Sequence, residues 1–375
     1  MAALIGCISI YGITISLFTP LLSLILEERG SSSTLIGGLA MVAPLGVILG
    51  SFFVPRCMQF MDGRSLLLIA IALDVFLILL LLILDNLLSW FVIRFVMGVT
   101  GSLLFIVSES WMADITPDAT RGRVMGLYNT ILSSSFALGP LILVLTGTEG
   151  ALPFLSGIML MMLAVFPLML AGRYQPVSSG ISSFNVLTFI RVAPMLAIAC
   201  IVVSFKDMAV TSLLPVYGVR NGLTESSAAL MLFFAALGGA VLQAPVGWFA
   251  DHYNRLAVLR VCGAFGVVGA AVVPFVVTVP WLLGLVLFLW IGFFAGIYTV
   301  ALTLAGQWFR GVELATAMAA FGVFWGLGGI LGPLAGGLAM DIWDPHGLPV
   351  IFLLVAGIFV VVSLHPKLHQ PRRRL

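Results

Sequence analysis

Twelve apolar runs, each long enough to cross a lipid bilayer, leave this chain few ways to fold. They lie near residues 3–26, 34–54, 66–84, 89–112, 123–145, 151–171, 192–217, 224–249, 257–277, 281–305, 313–339 and 348–364. A bilayer core is spanned by roughly 20 apolar residues in a helix. Open strands would leave backbone polar groups unpaired in lipid, so the runs are expected to be helices. Charge content agrees: only 9% of the 375 residues are Asp, Glu, Lys or Arg and 61% are hydrophobic, whereas soluble domains carry about 25% charged residues. The expected fold class is therefore an all-α membrane protein with twelve transmembrane helices. The first run has no basic segment before it and no small-residue cleavage site after it, and reads as a true helix.

Basic residues set the sidedness, because cytoplasmic loops of membrane proteins are enriched in Lys and Arg. With both termini cytoplasmic, thirteen of these residues fall inside: Arg56, Arg64, Arg121, Arg123, Arg173, Arg191, Arg255, Arg260, Arg310, Lys367, Arg372, Arg373 and Arg374. Two fall outside, Arg29 and Arg220, and Arg94 and Lys206 lie within spans. The polar stretch 172–191 divides six runs from six. The expected organisation is a bundle over 1–171, a cytoplasmic linker over 172–191, a second bundle over 192–364 and a basic tail over 365–375. A net charge of +2 gives no sign of a nucleic-acid partner. The four cysteines and four histidines show no metal-ligand or disulfide spacing, so neither metal nor cofactor is expected.

The halves repeat one another. At a shift of 193–195 residues Cys7 falls on Cys200, Pro20 on Pro215, Gly98 on Gly292, and "ALGPL" (137–141) on "ILGPL" (330–334). Such internal repeats are typical of secondary transporters, whose sites lie near mid-membrane.

The sixfold-plus-sixfold pattern with its mid-chain linker resembles the major facilitator superfamily, across the whole chain. The family's loop motif appears as "GWFADHYNR", with Gly247, Asp251 and Arg255. In the first half "GSFFVPRCMQFMDGR" keeps Gly63 and Arg64, but Phe60 stands where the acid is expected and Asp62 is displaced. "RFVMGVTG" resembles the fourth-helix motif through Arg94 and Gly98, and residues 109–140 resemble the bacterial YcaD-type branch. The resemblance implies two six-helix pseudo-repeats, a cavity lined by the first, fourth, seventh and tenth spans, and a monomer in the bacterial inner membrane. It also implies that the loop of Gly247, Asp251 and Arg255 latches an inner gate, the Asp251 carboxylate approaching the positive N-terminus of a neighbouring helix; a solvated turn charge is the alternative. In the first half Arg56 or Arg64 is expected to pair with Asp114. "GGILGPLAGG" (328–337) is a stripe of small residues in the eleventh span. Close helix packing accounts for it better than the antiport role that the family gives a similar stripe in the fifth.

Five charges lie in or near the part of the apolar runs that crosses lipid: Asp74, Arg94, Glu109, Lys206 and Asp207. Lys206 and Asp207 sit roughly 21 Å into the seventh span, where each charge costs at least ~2.5–3.5 kcal/mol. Sequence neighbours on a helix point about 100° apart, so each is expected to need a separate partner or cavity water. One reading has Asp207 exchange a proton while Lys206 tunes it or holds an anionic group of the substrate; the other is a structural pair. Arg94 either reaches the cavity or snorkels outward. Glu109 lies near the inner end of the fourth span, with Arg121 and Arg123 as nearby partners. Asp74, on a span the resemblance makes peripheral, is expected to bond a neighbouring helix or to be protonated. Tyr11, Thr14, Tyr298 and Thr299 are candidates for a substrate wall, and Asn129 and Gln243 are further polar points. Thr303, Phe288 and Ile13 occupy the repeat positions of Glu109, Arg94 and Asp207, so these charges break the symmetry.

The expected function is secondary active transport of a small solute by alternating access, with protons as the expected coupling ion; no GxxxxGK[ST] nucleotide motif is present, so the energy is expected to come from an ion or substrate gradient. The alternative is a non-transporting membrane sensor or assembly partner. No nucleophile–base or metal pattern suggests an enzyme.

Overall fold

The computed structural model describes residues 1–116, 121–170, 186–309 and 312–365. Among these every regular element is a helix: α1 (Ala2–Glu28), α2 (Ser33–Phe60), α3 (Gly63–Ile83), α4 (Leu87–Ile115), α5 (Arg121–Thr146), α6 (Leu152–Leu170), α7 (Val186–Val192), α8 (Pro194–Arg220), α9 (Glu225–His252), α10 (Arg255–Val276), α11 (Pro280–Trp308), α12 (Val312–Ile342) and α13 (Gly347–Leu364). Eleven are long and apolar enough to cross a membrane; the apolar part of α5, Thr130–Thr146, is shorter. The helices match the twelve expected runs to within a few residues. Large apolar side chains such as Phe60, Leu145 and Phe275 are exposed, as lipid-facing positions allow.

The chain divides into two compact units: Met1–Gly30 with Leu39–Gly180, and Ser31–Gly38 with Ile181–Leu375. In the first, α1 packs on α5 and α6, and α3 on α4 and α6. In the second, α8 packs on α12 and α13, and α10 on α11 and α13. The same scheme thus appears twice, with α7 as the extra element. Glycines explain the closeness of the packing. Lipid supplies no hydrophobic drive for helices to associate, so small residues that let backbones approach make the interfaces. A Cβ on Gly98 of α4 would run into the Ala43 carbonyl on α2, and one on Gly292 of α11 into the Gly238 backbone on α9. Gly139 meets α1 at Ile13, Ser16 and Leu17, while Gly328 and Gly332 meet α8 at Ile201, Ser204 and Phe205. The stripe in α12 is therefore a packing surface.

Helix starts are set by polar side chains that satisfy otherwise unpaired N–H groups. Asp62 accepts from Ser65 N at 3.0 Å to begin α3. Asn254 accepts from Leu256 N and Ala257 N at 3.0 and 3.2 Å to begin α10. In the second unit Asp341 receives the N–H groups of Ser33 and Thr34 at 2.8 and 2.9 Å, so a carboxylate meets the positive end of α2.

One boundary differs from expectation. The stretch 172–191 was expected to be linker throughout, yet Val186–Val192 is helical. Phe189 holds it, buried among Phe309, Phe321 and Phe324 with ring centroids 5.9–6.2 Å away. The break before α8 comes at Ala193, with Pro194 in its first turn. The remainder of that stretch, and the basic tail beyond His365, lie outside the described residues.

Candidate functional site

In the second unit two charged residues, Lys206 and Asp207, stand side by side in the middle of one span, α8. Lys206 is among the most deeply buried large side chains, 2% exposed, roughly 18 Å along α8. Its Nζ bonds directly to Asp207 Oδ1 and stands 5.6 Å from the Phe294 ring centroid on α11. A cation over an aromatic face at this range is attracted by the ring quadrupole. This corrects the expectation that the two neighbours need separate partners. Their Cβ directions diverge, but the four-carbon lysine stem bends back far enough to close the pair. Asp207 keeps 30% of its side chain exposed. The pair thus has a buried end at Lys206 and a partly exposed end at Asp207.

Around this pair, Ser204 Oγ donates to the Trp325 carbonyl on α12. Tyr298 on α11 stands edge-on to Phe321 and Trp325, at centroid distances of 5.8 and 5.1 Å. Its ring is part of an aromatic cluster flanking the core of this unit.

The first unit places Tyr11, Asp74, Arg94 and Glu109 on three helices, with the charged residues on α3 and α4. Arg94 on α4 is 5% exposed and donates from Nη2 to Thr19 Oγ1 on α1 at 3.2 Å. Its guanidinium is thus held between helices in the packed interior of the unit. Tyr11 on α1 is buried, edge-on to Phe105 at 5.5 Å. Its hydroxyl lies over Gly101 of α4, where any side chain would collide with it. Asp74 on α3 is 1% exposed and bonded to Thr100 on α4. Asp74, Arg94 and Tyr11 lie near enough to one another for an ionised Asp74 to feel the guanidinium of Arg94. Toward the C-terminal end of α4, Glu109 is exposed. The side chains of Arg121, Arg123 and Asn129, its expected neighbours, lie outside the described residues.

Asp251 is exposed and pairs with Arg255 at 3.6 Å, one turn away. Arg255 Nε also donates to the Ala250 carbonyl at 3.1 Å. The start of α10 is occupied by Asn254, so the acid of the loop motif meets an arginine there. Both residues border a shallow cleft of about 400 Å³ with Asn254, Gln307 and Trp308. Gly247 has room for a side chain, its nearest neighbour being the Thr299 methyl group at 3.9 Å. In the first half Arg64 Nη2 reaches Met169 Sδ at 3.0 Å and Arg56 Nη1 the Phe52 carbonyl at 3.3 Å. Asp114 is exposed in the last turn of α4. Among the described residues no group of three or more His, Cys, Asp or Glu side chains could hold a metal.

Several contributors escape sequence reasoning. Phe294, Thr19 and Thr100 carry no sign of their partners in the linear chain. Asp74 is visible there as an acid in an apolar run, but its burial beside Arg94 is a product of folding.

Known proteins agree with this architecture. The chain is 25% identical over 382 residues to the uncharacterized MFS-type transporter YfkF of Bacillus subtilis (strain 168), covering 98% of this chain and 96% of that protein. It is 24% identical over 291 residues to the uncharacterized MFS-type transporter YcaD of Shigella flexneri serotype 5b (strain 8401), covering 76% and 74%. The crystal structure of a D-xylose–proton symporter shares the fold, with a TM-score of 0.76 at 15% identity over 96% of this chain and 95% of that one. The profile of the Major Facilitator Superfamily matches residues 4–302 and 196–374, and with two six-helix units built on one packing scheme the chain belongs to that superfamily of membrane transporters.

Proposed function

We propose that this protein is a proton-coupled secondary active transporter that moves a small solute across the bacterial inner membrane by alternating access. One observation carries the reading: a buried lysine neutralised by an adjacent, partly exposed aspartate in the middle of an otherwise apolar span. Ionisable groups inside spans are costly and mark ion or substrate paths. In this reading Asp207 takes and releases the proton. Lys206, locked against Phe294, sets the charge that Asp207 must balance. When Asp207 is protonated Lys206 loses its anion, and an anionic group of the solute can replace it.

Arg94, Glu109, Tyr11 and Tyr298 are assigned to solute or ion binding, and Asp251, Arg255, Gly247, Arg64 and Asp114 to gating at the inner face. The lopsided distribution of Lys and Arg supports cytoplasmic termini. The functional bundles are assigned to 1–171 and 192–364, with 172–191 joining them.

Reconstitution into liposomes carrying an internal pH indicator tests the reading. A panel of sugars, nucleosides, organic anions and hydrophobic cations is added under an imposed pH gradient. At least one solute is expected to move protons with the wild type, and Asp207→Asn to abolish that movement while still exchanging labelled solute. Full proton movement in the variant would remove Asp207 from the role.

A further inference from the structure

The first unit holds a carboxyl group for which the reading above has no use. Asp74 is buried where α3 packs on α4, and its Oδ2 has no hydrogen-bond partner. Its Oδ1 contacts Thr100 Oγ1, and the same Oγ1 lies 2.9 Å from the Met97 carbonyl oxygen. A threonine hydroxyl has one hydrogen to give and lone pairs to receive. A carbonyl oxygen only accepts, so when the Thr100 hydrogen points to Met97, the contact with Asp74 needs a hydrogen from the acid. Thr19 shows the same arrangement nearby: it donates to the Ile15 carbonyl at 3.1 Å and accepts from Arg94 at 3.2 Å. A neutral Asp74 completes the chain from its own O–H to Thr100 and from Thr100 to Met97. It also leaves the partnerless Oδ2 as a carbonyl oxygen, far less costly to bury than half of a carboxylate.

We propose that Asp74 is a second proton-binding site, in the first unit, whose proton is held by Thr100 and whose anion is received by Arg94. The groups facing it are Arg94 from α4 and Tyr11 from α1; α6, the other helix packed on α3, has no titratable side chain. Two states follow. In one, Asp74 carries the proton and Arg94 rests on Thr19. In the other, the proton has left through the O–H bond, its electron pair stays on the carboxylate, and Arg94 turns from Thr19 on α1 to the free Oδ2 on α3. The proton thus decides which helix the guanidinium holds.

The test is infrared difference spectroscopy of the purified full-length protein in lipid nanodiscs, following the C=O band of protonated carboxyl groups. At neutral pH the wild type is expected to show a band that is absent from Asp74→Asn and retained by Asp207→Asn. A step to alkaline pH is expected to bleach it in the wild type and to leave it in Arg94→Gln, which has no cation to receive the anion. Thr100→Val, which keeps the shape and removes the acceptor, is expected to shift the band and serves if Asp74→Asn does not fold. An identical band in Asp74→Asn, or in Thr100→Val where the asparagine variant is lost, would overturn the proposal. So would a bleach in Arg94→Gln matching the wild type. Since the readout needs no solute, it is separate from the fate of the Asp207 assignment.

Discussion

The two units neutralise their buried charges by different routes. In the second, Lys206 and Asp207 are sequence neighbours that bond directly on α8, with Phe294 against the cation. In the first, Asp74 and Arg94 come from different helices, and each is answered by a threonine, Thr100 or Thr19. The scaffold beneath does not share this asymmetry: α1 meets α5 as α8 meets α12, and Gly98 and Gly292 make corresponding backbone contacts. Helix packing follows repeated small residues, and the ionic groups differ from one half to the other. A repeat in sequence therefore predicts where helices touch, while departures from the repeat mark where the halves diverge chemically.

The largest expected effect breaks the pair in the second unit. Asp207→Asn leaves Lys206 buried without its anion and is expected to cost about 3–5 kcal/mol, read by thermal or denaturant unfolding in detergent. Lys206→Met should cost less, because Asp207 is only partly buried, and the double variant should recover most of the loss. Asp74→Asn should cost less than Asp207→Asn, since it replaces a group already neutral. Equal losses would erase the contrast between the two units.

Next in size come the contacts that the halves share. Gly98→Val and Gly292→Val each force a side chain into a neighbouring backbone, with an expected loss of about 1–3 kcal/mol. Gly239→Val, with open space around it, is the control and should unfold near the wild-type midpoint. Clearly unequal losses at 98 and 292 would show that the packing repeat is only approximate.

The smallest effect concerns the loops that lead into α3 and α10. Asp62→Ala and Asn254→Ala each remove a helix cap and should cost about 1 kcal/mol, seen as similar falls in unfolding temperature. Asp62 is the displaced acid of the altered first loop, and its capping bond to Ser65 gives the displacement a structural use. A silent Asp62→Ala would sharpen the difference between the loops.

The spans were legible because each is specified by its own residues. The short helix α7 was not, since seven residues hold a helix only when docked, and the pocket for Phe189 is built by Phe309, Phe321 and Phe324 far along the chain. The partner of Lys206 was missed for another reason. Helical geometry fixes where a Cβ points, but a lysine ammonium lies several rotatable bonds beyond it. Asp74 could be seen as an anomaly and not as a neighbour of Arg94.

By itself the sequence determined that lipid is the solvent, that the chain crosses it as helices, and that the two halves share one plan. These follow from transfer energies and backbone satisfaction, which add up residue by residue along each run. Only the tertiary structure decided which charges meet, which threonine answers which ion, and which glycine bears a neighbouring backbone. Those outcomes depend on the rotation of each helix about its axis and on side-chain rotamers, and both are set by packing between segments distant in the chain.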